Sequence, residues 1–335
     1  MYDAYKTKYR LLVVGEDGSQ YNIKEYASNL GWEENPKELA MRVTFSVKND
    51  TPSNGRISDI AKPGCLVIIT AECGSLSDEV ARGYITRWQP TETNRKNEFK
   101  VTAYDESYNL QKSEDALYYQ KGMSTSSIVG DITGRWGIPL AGYDGPNIVH
   151  DKLIFTGKAL SEILYDVMDD ATKKSGVHAL VRCEKGKMRV IRWGKNNTVW
   201  AFESSNSEQT SYEISTESMI TRVNVIGEEN DEGRTPVEAT VEGQTRYGIR
   251  QKIYKRGTDE TPEEALAAAN EILDEHRDPE ETMKIIAPDV PFIRKGDRIY
   301  CKVGYANGYY YVKGIRHDAS NGKMTMDITK KESED

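Results

Sequence analysis

One short pattern occurs twice in this chain, and it limits the folds available more than any other feature. "KPGCLVIITAECGSLSDEVARGYITRW" (62–88) and "RKGDRIYCKVGYANGYYYVKGIRH" (294–317) each read as a Gly-containing turn, a strand, a second turn and a second strand. Aligning Gly64 with Gly296 pairs Ile60 with Phe292, and then Val67, Ile69 and Ala71 with Ile299, Cys301 and Val303. These are alternate positions, so one strand face is apolar in both copies. In the following strand Ile85 matches Val312 and Trp88 matches Ile315, an apolar spacing of three that a regular period-2 strand cannot produce. A β-bulge near Arg87 and another near Gly314 are therefore expected. The last strand pairs Phe99, Val101 and Ala103 with Met324, Met326 and Ile328. A Gly-led strand and hairpin is a common unit, so coincidence competes with duplication; the shared parity shift favours duplication.

The rest of the chain divides around these copies. Up to about residue 112, alternating runs at 9–14, 20–23, 39–47, 65–71, 81–88 and 98–105 are separated by turn-forming residues, which predicts a small β-barrel or sandwich. From 113 to 205 the pattern is helix, helix, hairpin. Ile128, Ile132 and Trp136 recur at helical spacing before Gly137 and Pro139. Leu160, Ile163, Leu164, Val167, Met168 and Ala171 form an apolar stripe that ends at Gly176, and "EKGK" turns between two strands. From 206 to 335 strands return, interrupted by a helix over 262–277 with Thr261 as N-cap, Pro262 at the first position and Glu264 completing a capping box. Its expected apolar face is Leu266, Ala269, Ile272 and Leu273. The fold class expected is α+β, mainly β: two tube-like β-barrel domains (1–112 and 206–335) flanking a small α+β domain (113–205).

Composition excludes several functions. A net charge of −8 argues against binding nucleic acid or an anionic membrane, both of which need clustered Lys and Arg. No run of 18 apolar residues is present, and "MYDAYKTKYR" lacks the apolar core of a signal peptide. Cys65, Cys73, Cys183 and Cys301 are scattered and read as buried reduced thiols. Phosphate-binding loops, GxSxG and HExxH are absent. His150, His178, His276 and His317 have no local partner motif, and Asp169 and Asp170 read as part of a solvated helix face. "EENDEG" matches a calcium loop in charge only, and the Asn-x-Thr triplets at Asn49 and Asn196 carry no weight without a secretory signal. No catalytic, cofactor-binding or metal-ligating residue is nominated, and no cofactor is expected. Tyrosine is the notable aromatic, 20 against 5 Phe, and Tyr309, Tyr310 and Tyr311 place rings on both faces of one strand. One of those faces either meets a partner or is merely solvated.

Two β units separated by an α+β unit, with a helix in the second, resemble the baseplate hub family of contractile phage tails, defective prophages and phage-tail-like bacteriocins. The landmarks are "GKALSEILYDVMDDATKKSG" with its hairpin, "ESMITRVNVIGEE", "RYGIRQKIYKRGTDETPEEALAAANEILDE", "IRKGDRIYCKV" and "GYYYVKGIRHD", in that order. Within that family it resembles the hub proteins of Gram-positive prophages and bacteriocins. The resemblance implies a homotrimer that adapts a sixfold tail tube to a threefold central spike, with tail tube and spike proteins as partners and tape-measure and baseplate wedge proteins as further contacts. It implies assembly in the bacterial cytoplasm, residence at the baseplate of a virion or tail-like particle, and release by lysis. Some relatives carry fused peptidoglycan-cleaving domains. This sequence ends in "KKESED" after its last expected strand, so no hydrolase activity is expected. The acidic balance is compatible with a negative lumen that DNA or a tape-measure protein would pass without sticking, a hypothesis about where the acids point. The alternatives are a peptidoglycan-degrading tail hydrolase, which would need an acid–nucleophile pair or a metal site, and a monomeric glycan-binding module built on Tyr and Trp.

Overall fold

The computed structural model describes residues 4–49, 56–93, 96–229, 233–258 and 260–330. In chain order, the first β region holds β1 (Lys8–Val14), β2 (Gln20–Asn22), β3 (Ala27–Glu34), β4 (Arg42–Lys48), the single-turn α1 (Ile57–Ile60), β5 (Leu66–Cys73), β6 (Leu76–Thr93) and β7 (Lys96–Tyr104). There follow α2 (Tyr108–Lys112), β8 (Glu114–Tyr119), α3 (Thr125–Arg135), β9 (Leu140–Tyr143), β10 (Leu153–Ala159), α4 (Leu160–Ser175), β11 (Ala179–Glu184) and β12 (Lys187–Arg192). The remainder comprises β13 (Trp200–Glu203), β14 (Gln209–Ser215), β15 (Arg222–Ile226), β16 (Val237–Glu242), β17 (Gln251–Lys255), α5 (Pro262–His276), β18 (Glu280–Pro288), β19 (Arg298–Val303), β20 (Ala306–Asp318) and β21 (Lys323–Thr329). The fold is mainly β.

Two compact units are present: Tyr212–Met283, and the rest of the chain on either side of it. In the smaller unit, β16, β15 and β17 form a three-stranded sheet on which α5 packs, burying Val223, Val225, Ala265, Ala269 and Leu273. The capping box at Thr261 and Glu264 forms as the sequence predicts, and Pro262 starts the helix. The buried face differs by part of a turn: Ala265 is buried and Leu266 is 41% exposed. Small Ala side chains let the helix sit close to the sheet, which turns the bulkier Leu266 outward. The acidic loop "EENDEG" and the tail "KKESED" lie in part outside the described residues.

The duplication appears as shared strand order. The path β1-β5-β6-β7-β4-β3 in the first half is repeated as β13-β19-β20-β21-β18-β14 in the second. Gly64 and Gly296 adopt φ of +91° and +92°, a left-handed conformation in which a side chain is strained. The hydrogen bonds around them match too. Gly64 N–H donates to Ile85 O at 2.9 Å and Gly296 N–H to Val312 O at 2.8 Å; Ile85 and Val312 N–H then donate back across the same turn to Cys65 O and Asp297 O, each at 2.9 Å. Both expected bulges are found, between Ile85 and Arg87 on β6 and between Val312 and Gly314 on β20. One edge differs: β1 pairs antiparallel with β5, whereas β13 pairs parallel with β19.

Among the described residues neither hydrogen-bonded path closes into a ring. The first half instead brings its two ends together through side chains, with the rings of Tyr9 on β1 and Trp32 on β3 at 5.9 Å. The enclosed core includes Leu11, Val13, Leu30, Trp32, Phe45, Val67, Ile69, Phe99 and Val101, all at 2% exposure or less. A second core forms around α3 and α4, where Ile128, Ile132, Leu160, Ile163 and Leu164 are fully buried. Gly176 caps α4 in the left-handed conformation, as expected.

Candidate functional site

The two halves of the larger unit are joined by β3, which pairs with β4 in its own half and antiparallel with Ile315–Asp318 of β20 in the other. The backbones approach closely: a Cβ on Gly31 would stand 2.5 Å from His317 O. Only glycine allows this approach without displacement. At the centre of the joint His317 stacks on Trp32 with ring centroids 4.6 Å apart, and both side chains are buried. His317 Nδ1 lies 2.6 Å from Asp289 Oδ1 and Nε2 lies 3.1 Å from Ile293 O. Tyr9 donates its hydroxyl to the other Asp289 oxygen at 2.5 Å. Asp289 therefore ties β1 to β20, and every polar atom of the His317 ring has a partner. Such a cluster holds elements together and leaves no ring nitrogen free for proton transfer to a substrate.

Next to it lies a buried charge network. Arg294 donates from Nε and Nη2 to the two oxygens of Glu34, each at 2.8 Å, and Lys295 N–H donates to Glu34 Oε2 at 3.1 Å. Burial alone would raise the Glu34 pKa; the Arg294 guanidinium outweighs it and holds the carboxyl at about 2. Arg294 also donates to Cys183 O, and Arg182 on β11 donates to Lys295 O at 2.7 Å. Lys295 Nζ is bound by the carbonyls of Asn35 and Glu38. One node thus connects β3, the β11–β12 hairpin and the turn before β19. Paired, bidentate charges of this kind set geometry more than they add stability.

Asp105 borders the same region. Burial pushes its carboxyl up to about 7, although it accepts hydrogen bonds from Ser107 and from Met41 N–H. The folded state therefore keeps a proton on Asp105 that the unfolded chain releases near pH 4, and stability from this group falls as pH rises from about 4 through 7. A loss on the order of 2–4 kcal/mol across that interval is expected from denaturant titrations at stepped pH. Asp105→Asn is expected to flatten this slope, whatever its effect on absolute stability. A cleft of about 630 Å³ beside Asp105 is lined by both signs of charge, including Glu79, Arg82, Arg182, Glu184 and Arg189.

One constellation has the outline of a catalytic triad. His150 Nδ1 is 2.8 Å from Asp170 Oδ2 and its Nε2 is 2.9 Å from Thr125 Oγ1. Thr125 is fully buried at the first position of α3, and its hydroxyl is also engaged by both Ile148 O and Ile148 N–H. No acyl group can reach it, and the trio pins the segment before β10 to α3 and α4. Asp170 keeps part of the solvated helix face expected of it, one-third exposed and accepting from Lys174 Nζ at 2.8 Å, and also reaches buried His150; Asp169 faces outward and pairs with Lys173. Sequence reading could not find the trio, because its members are 20 and 25 residues apart with no motif between them. All four cysteines are buried and outside any disulfide. Tyr310 is buried, while Tyr309 is 58% exposed, edge-on to Tyr300 and under the Arg298 guanidinium. Rings do occupy both faces of β20.

The fold defined by these elements is that of phage tail proteins. The 43 kDa tail protein of prophage MuSo2 from Shewanella oneidensis superimposes with a TM-score of 0.67 at 12% identity, covering 97% of this chain and 100% of that one. A tail protein from Neisseria meningitidis MC58 gives 0.63 at 14% identity over 96% and 95%, and prophage tail protein gp18 from Listeria monocytogenes EGD-e gives 0.53 at 13% over 97% and 95%. No curated protein sequence matches. The chain belongs to the YQBQ-like family, whose family model matches residues 30–331.

Proposed function

We propose that this protein is a structural baseplate hub subunit of a contractile tail or tail-like particle, acting as a homotrimer between tail tube and central spike. The observation that carries the reading is the duplication. Two halves with one strand order, one glycine turn and one bulge give three chains six similar β units. A ring with two nearly equivalent units per subunit can face sixfold symmetry on one side and threefold on the other. The fold shared with prophage tail proteins supports the same reading. So does the E. coli c3393 protein, described as a component of the type VI secretion system similar to T4 tail proteins gp27 and gp5; it matches at a TM-score of 0.51 and 10% identity, over 100% of this chain and 77% of that one. On this reading the domains are two tube-like β units (1–112 and 206–335) flanking an α+β unit (113–205), with one helix (262–277) inserted in the second. The partners are tube, spike, tape-measure and wedge proteins, the site of assembly is the bacterial cytoplasm, and the chain performs no catalysis.

Deleting the gene from its phage or prophage and imaging induced lysates tests this. Tails lacking an ordered baseplate, restored by the chain supplied in trans, are expected; normal baseplates would overturn it. In zymograms with purified peptidoglycan the protein is expected to leave no clearing, and clearing abolished by one Asp or Glu substitution would favour a hydrolase.

A further inference from the structure

From Gly243 to Thr258 the sequence carries Arg246, Arg250, Lys252, Lys255 and Arg256 and no acidic residue, in a chain whose net charge is −8. β17 (Gln251–Lys255) lies within this run and forms one edge of the smaller unit's sheet, pairing with β15 alone among the described residues. Its register with β15 sorts the side chains. Lys252 and Tyr254 stand opposite Val223 and Val225, on the side of α5, whereas Ile253 stands opposite Asn224, on the side away from the helix. Ile253 is 59% exposed, and Ile249, just before the strand, is 58% exposed. Gln251, Lys252 and Lys255 are exposed as well. Part of the positive charge is already used. Arg256 donates twice to Glu238, and the Arg246 guanidinium lies over the Tyr247 ring. The ion pairs of this sheet, Arg222 with Glu242 and Arg256 with Glu238, leave Lys252 and Lys255 without a carboxylate partner among the described residues. By strand alternation these two lysines point to opposite faces.

Three properties therefore coincide on one edge: a strand paired on one side only, aliphatic side chains in solvent, and lysines without counter-ions. Lysine on an edge strand discourages pairing with neutral or basic strands. Flanking an exposed Ile253, it attracts a strand that carries acids. We infer that the β17 edge takes an extended acidic segment of another protein as a fourth strand of the β16-β15-β17 sheet. Main-chain hydrogen bonds along Gln251–Lys255 supply the affinity, and the side chains make the selection. An apolar side chain of the incoming strand covers Ile253, while carboxylates on its two faces reach Lys255 on one side and Lys252 on the other. A phosphate polymer would engage the lysines but leave Ile249 and Ile253 in water, and it has no amides to pair with a strand. Polypeptide is the better fit. The opposite edge of the same sheet, β16, is acidic, but its Glu238 and Glu242 are engaged by arginines within the chain, which disfavours a second copy as the occupant.

Titrating the intact chain with a short, fluorescently labelled peptide that alternates Glu and Val tests this. Saturable binding is expected, with amide exchange slowed in Gln251–Lys255 and unchanged along β16. The double variant Lys252→Glu with Lys255→Glu is expected to bind about tenfold more weakly, the size of two lost cross-strand charge pairs. Proline at the centre of the peptide is expected to abolish binding, because an added strand must donate from its own N–H groups. No saturation up to the solubility limit of the peptide would overturn the inference. A proline peptide that binds as well as its parent would also overturn it, reducing the edge to a patch of cations. Tighter binding of polyphosphate, or of phosphatidylglycerol vesicles, would do the same and identify a soluble polyanion or a lipid surface instead. Self-association that rises with protein concentration and disappears in the double variant would assign the edge to a second copy, against the inference. Both replaced lysines are exposed, so thermal melts matching the parent are expected, and they separate lost binding from lost fold. None of these outcomes requires a ring, so each leaves the hub reading standing.

Discussion

Replacing Glu34 with alanine is expected to destabilise the larger unit by about 3–5 kcal/mol, because it leaves the Arg294 guanidinium buried without its bidentate partner. The loss should appear as a lower denaturant midpoint with an unchanged slope, since the surface exposed on unfolding is nearly the same. Arg294→Met alone leaves the opposite charge unpaired and should cost a comparable amount. The double replacement Glu34→Leu with Arg294→Met restores an apolar match and should be less destabilised than either single variant. A cycle in which the two losses simply add would show that the pair is not coupled. The carboxyl is held at about 2, well below the ordinary range, so its stabilisation is complete above about pH 4.5 and is lost as pH falls toward 2. This acid limb is expected to disappear in Glu34→Ala. It has the opposite sign to the Asp105 slope at higher pH, so the two groups together place an optimum on the acid side of neutrality.

Trp32→Ala is expected to cost about 3–5 kcal/mol, the range for a fully buried large aromatic. The damage should be located at the joint. Trp32 stacks on His317 and meets Tyr9 edge-on, so its removal opens a cavity where β1, β3 and β20 converge. Amide exchange should accelerate most in Gly31–Glu34 and Ile315–Asp318, with the α3–α4 core retaining its protection. Uniform acceleration across the chain would mean that the joint is not a separate locus of stability. Gln209–Ser215 should be unaffected, because β14 is exposed in the isolated chain.

Much of the second half was legible from the first. The alternation at Val67, Ile69 and Ala71, repeated at Ile299, Cys301 and Val303, reports a sheet with one buried face. The three-residue spacing of Ile85 and Trp88 required an extra residue because side chains alternate strictly along a strand. The capping box of α5 and the glycine that ends α4 are local signals, so they too could be read directly. β3 was not legible. Ser28, Asn29 and Gly31 are poor strand formers, and Asn29 takes φ of +51° where the register with β4 shifts, which breaks the alternation that would have marked the strand. The strand that unites the halves is therefore the one whose local sequence says least about it.

The sequence by itself determined the local periodicities: the alternating strands of the two copies, the apolar stripes of α3 and α4, the cap of α5, the turn glycines Gly64, Gly176 and Gly296, and the repeat of one β pattern. These depend on contacts between residues a few positions apart, or on a pattern that repeats whatever its surroundings. Tertiary structure alone decided how the copies meet. Glu34 finds Arg294 some 260 residues away, Tyr9 reaches Asp289 across 280, and Thr125, His150 and Asp170 converge in a pin instead of an active site. Burial and charge pairing at such separations follow from the path of the backbone through space, which no local spacing encodes.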